Sequence, residues 1–213
     1  MNKQGPGKIG WTDYTWNPIK GLCPVGCWYC YGRRMYQRFG WEEYLRFKIP
    51  NNKDVPKRPT RIFVCSMMEI FHPAIPKKWR DAIFLFIQHH PKHTFQILTK
   101  MPENIDRPMP DNAWLGVSIT DDGKLCGRYQ DLLDAEARIK FISFEPLFNL
   151  SYLPLRINWV IIGRLTGYGR RYDPSLAVLK SMVDTYRAEK ISIFLKDSLK
   201  EIWGEPLIQE YPE

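Results

Sequence analysis

Apolar runs that look like β-strands alternate with helical patterns over most of the chain. Helical spacing of apolar residues covers 77–90, 121–137 and 174–188, and the last of these is opened by Asp173 and Pro174. The strand-like runs are 61–66, 93–99, 113–120, 139–144, 157–163 and 191–195, with an earlier one around 15–22. This alternation, with continuously apolar strands, predicts parallel pairing with helices covering the sheet.

We therefore predict an α/β fold: a partial (β/α) barrel of about six or seven mainly parallel strands with outer helices. A flat doubly wound sheet is the alternative. No Gly-x-Gly-x-x-Gly segment opens a helix after the first strand, so a dinucleotide fold has no positive support. The 213 residues suffice for one continuous core, and we expect a single domain over 1–213.

Polar residues follow nearly every predicted strand. In folds of this kind the carboxyl ends of the strands and the loops after them build the site, so we expect these residues to converge. The set is Cys23 to Cys30, Ser66, Glu69, Thr99, Lys100, Ser118, Thr120, Ser143, Glu145, Gly163, Arg164, Lys196 and Asp197.

The amino-acid composition limits the class of protein, its cellular location and its type of partner. Hydrophobic residues make up 44% and charged residues 25%, which is typical of a folded globular chain. No apolar run approaches the roughly 20 residues that span a bilayer, and the first ten residues lack an apolar signal core, so we expect a cytoplasmic protein without a membrane partner. The net charge of +8 fits either a merely soluble basic surface or a partner that carries phosphate, such as nucleic acid.

Three of the five cysteines are clustered, as Cys23, Cys27 and Cys30, in a C-x3-C-x2-C arrangement. Thiolates are soft ligands that suit zinc or iron–sulfur clusters, and Pro24 and Gly26 shape a loop around them. Three local cysteines leave one iron of a four-iron cubane without a protein thiolate. The spacing leaves open a zinc site with a distant fourth ligand, a Cys27–Cys30 dithiol and three structural cysteines.

The cysteine spacing, with Tyr29 immediately before the third cysteine, resembles the signature of the radical S-adenosylmethionine (radical SAM) superfamily. The chain as a whole also resembles an uncharacterised phage-associated family with this motif. The matching stretches are GWTDYTWNPIKGLCPVGCWYCY, RIFVCSMMEIFH, HTFQILTKMP, WLGVSITD, FISFEPL and INWVIIG. The resemblance implies a partial barrel and a class of chemistry, and it names no substrate.

The resemblance implies a [4Fe-4S] cluster held by Cys23, Cys27 and Cys30, with SAM on the open iron. One electron, from an external donor such as a flavodoxin or ferredoxin, splits SAM into a 5′-deoxyadenosyl radical that abstracts hydrogen from substrate. The protein then supplies binding, orientation and exclusion of water. The alternative function is non-catalytic binding of nucleic acid, by a protein whose fold is stabilised by zinc or an iron–sulfur cluster.

The resemblance also implies a set of cofactor-binding residues. Glu69 would receive the SAM amino group beside Ser66, although the family's usual glycine pair before the acid is missing; a helix cap is the alternative for Glu69. Lys100 would meet the SAM carboxylate. The remaining members are Tyr29 beside the cluster, and Ser118 and Thr120 where ribose contacts lie.

Two further residues are predicted to be catalytic. Glu145 precedes a proline, which restricts its backbone and aims its side chain at cofactor or substrate. Arg164 lies in the glycine-rich basic loop 163–171, which suits an anion such as phosphate. Either side chain could instead belong to an ordinary surface loop.

Overall fold

The computed structural model of the protein describes residues 1–5, 7–150 and 153–213. Its strands are β1 Asn2–Lys3, β2 Tyr14–Trp16, β3 Ile19–Lys20, β4 Arg46–Phe47, β5 Arg61–Val64, β6 Thr94–Thr99, β7 Ala113–Ser118, β8 Ile139–Phe144, β9 Trp159–Ile162 and β10 Ser192–Leu195. Its α-helices are α1 Tyr31–Phe39, α2 Lys77–Gln88, α3 Asp122–Asp134, α4 Leu176–Ala188 and α5 Lys200–Trp203. None of these helices is long and apolar enough to cross a bilayer.

The main sheet contains eight strands in the order β1-β2-β5-β6-β7-β8-β9-β10. Strand β1 is antiparallel to β2, and every other neighbouring pair in this sheet is parallel. Crossovers between parallel strands are right-handed, so an order that never reverses keeps the connections on one face, as in a barrel. A doubly wound sheet reverses its order. The predicted α/β partial barrel is therefore confirmed.

The smallest elements depart from the sequence prediction. The strand expected around 15–22 is divided between β2, in the main sheet, and β3, which pairs with β4 in a separate ribbon. The crossover from β6 to β7 contains only a 3-10 helix, Pro102–Asn104, and the described part of the β8–β9 crossover contains no helix. Strands of two or three residues are too short to show an apolar alternation, which explains why they were missed.

The two faces of the sheet carry separate hydrophobic cores. Along β7, Ala113, Leu115 and Val117 belong to the large core shared with the helices, whereas Trp114 points to the other face. The smaller core is an aromatic floor on that inner face, made by Trp11, Phe63, Trp114, Ile139, Phe141, Trp159, Ile161 and Phe194.

Further along the same strands, the inner face becomes polar. Phe141 is followed two residues later on β8 by Ser143, and Phe194 on β10 is followed by Lys196. Side chains two residues apart on a strand share a face, so Ser143 stands directly above the aromatic floor, and Lys196, just past the end of β10, lines the same space. The fold thus separates a filled, apolar interior from polar side chains at the carboxyl ends of the strands.

The last residues of the chain cover the free edge of β10. The Leu195 N–H donates to the Ile208 carbonyl at 2.7 Å, and the Glu210 N–H donates to the Ile193 carbonyl at 2.8 Å. The Tyr211 ring lies 3.6 Å from the Arg61 guanidinium carbon, which belongs to β5. An edge paired in this way is protected from pairing with another chain.

Candidate functional site

A cavity of about 250 Å³ lies at the carboxyl end of the parallel strands, under the cysteine loop. Its walls come from this loop, from the strand ends and from the loops that follow them. It brings together most of the residues that the sequence analysis selected: Cys23, Cys27, Tyr29, Cys30, Ser66, Glu69, Lys100, Ser118, Ser143, Glu145, Arg164 and Lys196.

Four of the selected residues do not line this cavity. The Thr120 hydroxyl donates to Asp121 at 2.9 Å and interacts with the phenol of Tyr29, so it lies behind the cavity wall. Thr99 points to the opposite face of β6. Asp197 lines a different depression beside Gln209. Gly163 contributes space, because a Cβ there would lie 2.9 Å from the Lys196 side chain.

The cysteine loop runs from the β3 strand to helix α1. Cys23, Cys27 and Cys30 are free thiols, and all three also border a small recess of about 20 Å³ beside the main cavity. The Cys30 N–H donates to the Cys27 carbonyl at 3.1 Å, and Cys30 immediately precedes α1. Gly26 has a φ of +71°, a conformation that favours glycine and lets the loop turn between the first two cysteines.

The Cys23 thiol is partly buried at the start of this loop. Burial raises its pKa, while the backbone N–H groups of Val25 and Glu69 donate to the sulfur and lower it. The Arg33 guanidinium donates to the Cys23 carbonyl at 3.2 Å, which ties the loop to α1. Amide donors on a thiolate are a recognised means of tuning an iron–sulfur cluster.

The donor set suits a cluster. As the side chains stand, the described His, Cys, Asp and Glu residues form no group of three or more that could hold a metal ion. A cubane takes one thiolate per iron, so its protein ligands need not converge on a single point. Three thiols line one cavity, and backbone N–H groups donate to the sulfur of Cys23. This arrangement fits a cluster with three protein ligands.

Glu69 is a buried carboxylate with only 5% of its surface exposed. Its Oε1 accepts from the Thr99 hydroxyl at 2.6 Å and from the Phe71 N–H at 3.2 Å, and its Oε2 accepts from the Lys100 N–H at 2.6 Å. Burial raises the Glu69 pKa, and these donors oppose that rise. The next helix starts only at Lys77, so Glu69 is not its cap. One acceptor direction on Oε2 remains for a ligand.

Two polar groups in the cavity lack a hydrogen-bond partner among the described residues. The Lys100 ammonium lies 6.0 Å from the centre of the Tyr29 ring, and burial lowers its pKa against the opposing attraction of Cys27 and Glu69. The Ser143 hydroxyl is buried without a partner. Burial, together with Cys27, raises the pKa of Tyr29 to about 12, so this phenol stays protonated. A buried hydroxyl left unpaired, as that of Ser143 is, is costly unless a ligand satisfies it.

The two residues predicted to be catalytic, Glu145 and Arg164, differ in the hydrogen bonds and ion pairs that their side chains already make. Glu145 faces the cavity and accepts from the Lys196 ammonium, which forms an ion pair with it. The Arg164 guanidinium donates to the Ser198 carbonyl at 2.7 Å and to Asp173 at 3.1 Å. Arg164 therefore borders the cavity with its Nε and one terminal nitrogen already engaged and the other terminal nitrogen without a partner among the described residues. The catalytic role of each stays a prediction.

Sequence reasoning missed several residues of the wall, and Arg34 and Met67 are two of them. Arg34 on α1 reaches the cavity and donates to the Thr166 carbonyl at 3.3 Å, and Met67 closes the side next to Ser66. Arg34 belongs to a basic group with Arg33 and Arg38, but three arginines on one helix do not reveal which of them faces inward. Met67 carries no pattern that distinguishes it from a core residue.

Comparison with known proteins gives a family and one distant structural likeness. The family model described as "Protein of unknown function (DUF5131)" matches residues 6–205. Comparison with curated proteins gives no match. A solved structure of spore photoproduct lyase complexed with dinucleoside spore photoproduct matches with a TM-score of 0.49 and 12% identity, over 87% of this chain and 72% of that one.

Proposed function

We propose that this chain, which belongs to the DUF5131 family of proteins of unknown function, is a radical SAM enzyme. One observation carries the proposal: the three cysteines of the C-x3-C-x2-C motif share a single cavity with a buried carboxylate and an unpaired ammonium. SAM presents an amino group and a carboxylate side by side, so Glu69 and Lys100 offer the matching pair of charges.

Cys23, Cys27 and Cys30 would hold a [4Fe-4S] cluster and leave one iron for SAM. When bound, the cluster and SAM together supply a 5′-deoxyadenosyl radical that removes hydrogen from the substrate. An external donor such as a flavodoxin or ferredoxin provides the electron.

The protein's own part is to hold SAM in one orientation. The free acceptor direction on Glu69 Oε2 receives the amino group, and the Lys100 ammonium receives the carboxylate. The hydroxyls of Ser118 and Ser143 line the same wall and are available to a ribose, and neither has a side-chain partner among the described residues. Fixing the cofactor in this way lowers the entropic part of the barrier.

The rest of the cavity keeps water away and presents a charge to the substrate. The apolar side chains of Trp11, Phe63 and Leu98 line its inner part, which favours exclusion of water from a reactive intermediate. Glu145 forms an ion pair with Lys196 and faces the space that the cofactor leaves. Arg164, paired with Asp173 on the loop after β9, borders the same space, and its catalytic role stays a prediction.

The experiment compares single cysteine variants prepared without oxygen. Cys23→Ala, Cys27→Ala and Cys30→Ala should each lose iron and the brown colour, and none should form 5′-deoxyadenosine from SAM after reduction. Cys126→Ala is the matched control, because Cys126 is exposed on α3, away from the cavity. It should keep both the iron and the cleavage activity.

Two results would refute the proposal. Wild-type protein that carries one zinc and no iron would favour a metal-stapled binding protein instead. Iron-loaded protein that never cleaves SAM under reducing conditions would point to electron transfer. Loss of iron in the Cys126→Ala protein would show that the ligands have been assigned wrongly.

A further inference from the structure

Four rings beside the cavity form a cluster that we call the aromatic rim: Trp28, Phe148, Tyr168 and Tyr172. Trp28 lies on the cysteine loop, Phe148 follows β8, and the two tyrosines follow β9. The Trp28 ring centre is 5.9 Å from Phe148, 5.5 Å from Tyr168 and 5.6 Å from Tyr172. Three separate loops thus place their aromatic side chains at one point of the surface.

The rim leaves its central ring open to solvent. The planes of the Trp28 and Phe148 rings lie within 10° of parallel, so Phe148 packs beside the indole and supports it. Trp28 nevertheless remains 57% exposed. The Tyr168 hydroxyl donates to the Trp28 carbonyl at 3.2 Å and fixes its backbone. A large ring that is held in place and still exposed is a platform on which a flat ligand can stack.

Cations surround this platform. The Arg34 guanidinium carbon lies 4.9 Å from the centre of the Tyr168 ring, and that of Arg171 lies 5.4 Å from Tyr172. Both arginines are exposed, and neither forms an ion pair with a described residue. The acidic neighbours are already engaged, since Asp173 pairs with Arg164 and Glu201 pairs with Arg170. The uncompensated charge around the aromatic rim is therefore positive.

We infer that the aromatic rim binds single-stranded nucleic acid, with a base stacked on Trp28 and the flanking phosphates near Arg34 and Arg171. Exposed aromatic rings combined with arginines are the usual means of holding unpaired strands, because every base has a flat face and every link carries a charge. A duplex keeps its bases stacked on one another, so offering one to Trp28 first costs the energy of unstacking it. The overall charge of +8 favours the same partner.

This inference rests on the proposed function, since it names the substrate class of the same site. Trp28 is followed directly by Tyr29, whose ring lies 5.4 Å away and lines the cavity. A strand stacked on Trp28 therefore has its neighbouring nucleotide at the edge of the cavity. Glu145, on the wall below, is then a substrate-facing group.

The test measures the fluorescence anisotropy of short labelled oligonucleotides with the anaerobically purified protein. Single-stranded DNA, single-stranded RNA and a duplex of the same sequence are compared. Trp28→Ala should weaken single-strand binding by about 5- to 150-fold, the range expected for one stacked base. Trp41→Ala is the matched control. Trp41 follows the end of α1, is 42% exposed, stacks on Phe39 and lies outside the aromatic rim. It should bind like the wild type.

Two further variants keep the test decisive. Trp28→Phe retains a ring and should recover most of the affinity. Arg171→Gln should reduce the slope of log affinity against log salt by about 0.7, the value for one phosphate contact to a single strand. Tight binding of single-stranded RNA or single-stranded DNA supports the inference, and the strand that binds more tightly identifies which nucleic acid is the partner.

The inference fails if Trp28→Ala binds single strands as tightly as Trp41→Ala, or if the duplex binds as well as the single strands. Its failure is distinct from that of the proposed function. Protein that cleaves SAM but binds no oligonucleotide keeps the radical chemistry and loses this substrate class. Protein that binds single strands through Trp28 but never cleaves SAM keeps the aromatic rim and loses the chemistry.

Discussion

Adding one methyl group at Gly116 should test how the aromatic floor supports the site above it. Gly116 on β7 pairs directly with Phe141 on β8, and both face the inner side of the sheet. A Cβ at Gly116 would lie 2.3, 2.4 and 2.6 Å from three atoms of the Phe141 ring. These separations are far inside van der Waals contact, so either the ring or a strand must move.

The Phe141 ring has little room to move. It is fully buried, and the Trp11 and Trp159 ring centres lie 6.4 Å and 5.3 Å from its own. Overpacking a core costs about 1–3 kcal/mol, and we expect Gly116→Ala to reach the upper end, about 3 kcal/mol. For a protein of this size that corresponds to a melting temperature lower by about 6–12 °C. The Ser118–Ser143 pair, two residues further along the same strands, should shift with the clash.

Thermal and urea unfolding measure this effect, and the chain offers an internal control. Gly127 lies on the exposed side of α3 with nothing within 4 Å of an added Cβ, so Gly127→Ala should raise stability by about 0.5–1 kcal/mol. Combining Gly116→Ala with Phe141→Leu makes space for the methyl group, and the pair should cost at least about 1 kcal/mol less than the sum of the single changes. A Gly116→Ala protein as stable as the wild type would refute the packing argument.

Two other predictions concern charged groups. Glu69→Gln turns an acceptor into a donor opposite the Lys100 N–H, so the dissociation constant for SAM should rise about tenfold or more while the iron content stays the same. The exposed Glu42→Gln control should change neither the dissociation constant nor the iron content. Arg107 and Arg80 hold the Asp106 pKa at about 2, below the ordinary value of 3.8 for an aspartate. Because the folded-state pKa is depressed, the stabilisation is present above about pH 4 and is lost as the pH falls toward about 2. Asp106→Asn should therefore lower the free energy of unfolding by about 1 kcal/mol near neutral pH, after allowing for partial exposure, and by progressively less in acid. Urea unfolding at several pH values measures this, and a difference between variant and wild type that did not change with pH would contradict it.

Much of the fold was predictable because parallel strands that are buried on both faces leave long apolar runs in the sequence. The rule that sites form at the carboxyl ends of such strands then selected the residues of the cavity wall, with Glu145 and Lys196 among them. No knowledge of side-chain orientation was needed for that step. The polar residue after each strand was sufficient.

The orientation of each side chain was harder to predict. Lys100 faces the inner side of the sheet, so its neighbour Thr99 faces the helices and instead donates to Glu69 from behind. Thr120 has the same parity as Ser118, but β7 ends at Ser118, and beyond that point the strand alternation no longer applies. Sequence alone does not give the last residue of a strand closely enough to decide these cases.

The glycine-rich basic loop after β9 shows how packing changes a sequence interpretation. Its composition suggested an anion site built by the loop itself. Gly167 instead adopts a φ of +83°, and a Cβ there would lie 2.7 Å from the Arg34 guanidinium, so the glycine permits close contact between this loop and α1. That contact holds Arg34 against Tyr168 at the surface. In the binding that we infer for the aromatic rim, the part of the loop is to fix an arginine from another element beside an aromatic ring, an arrangement that matches a nucleotide more closely than free phosphate.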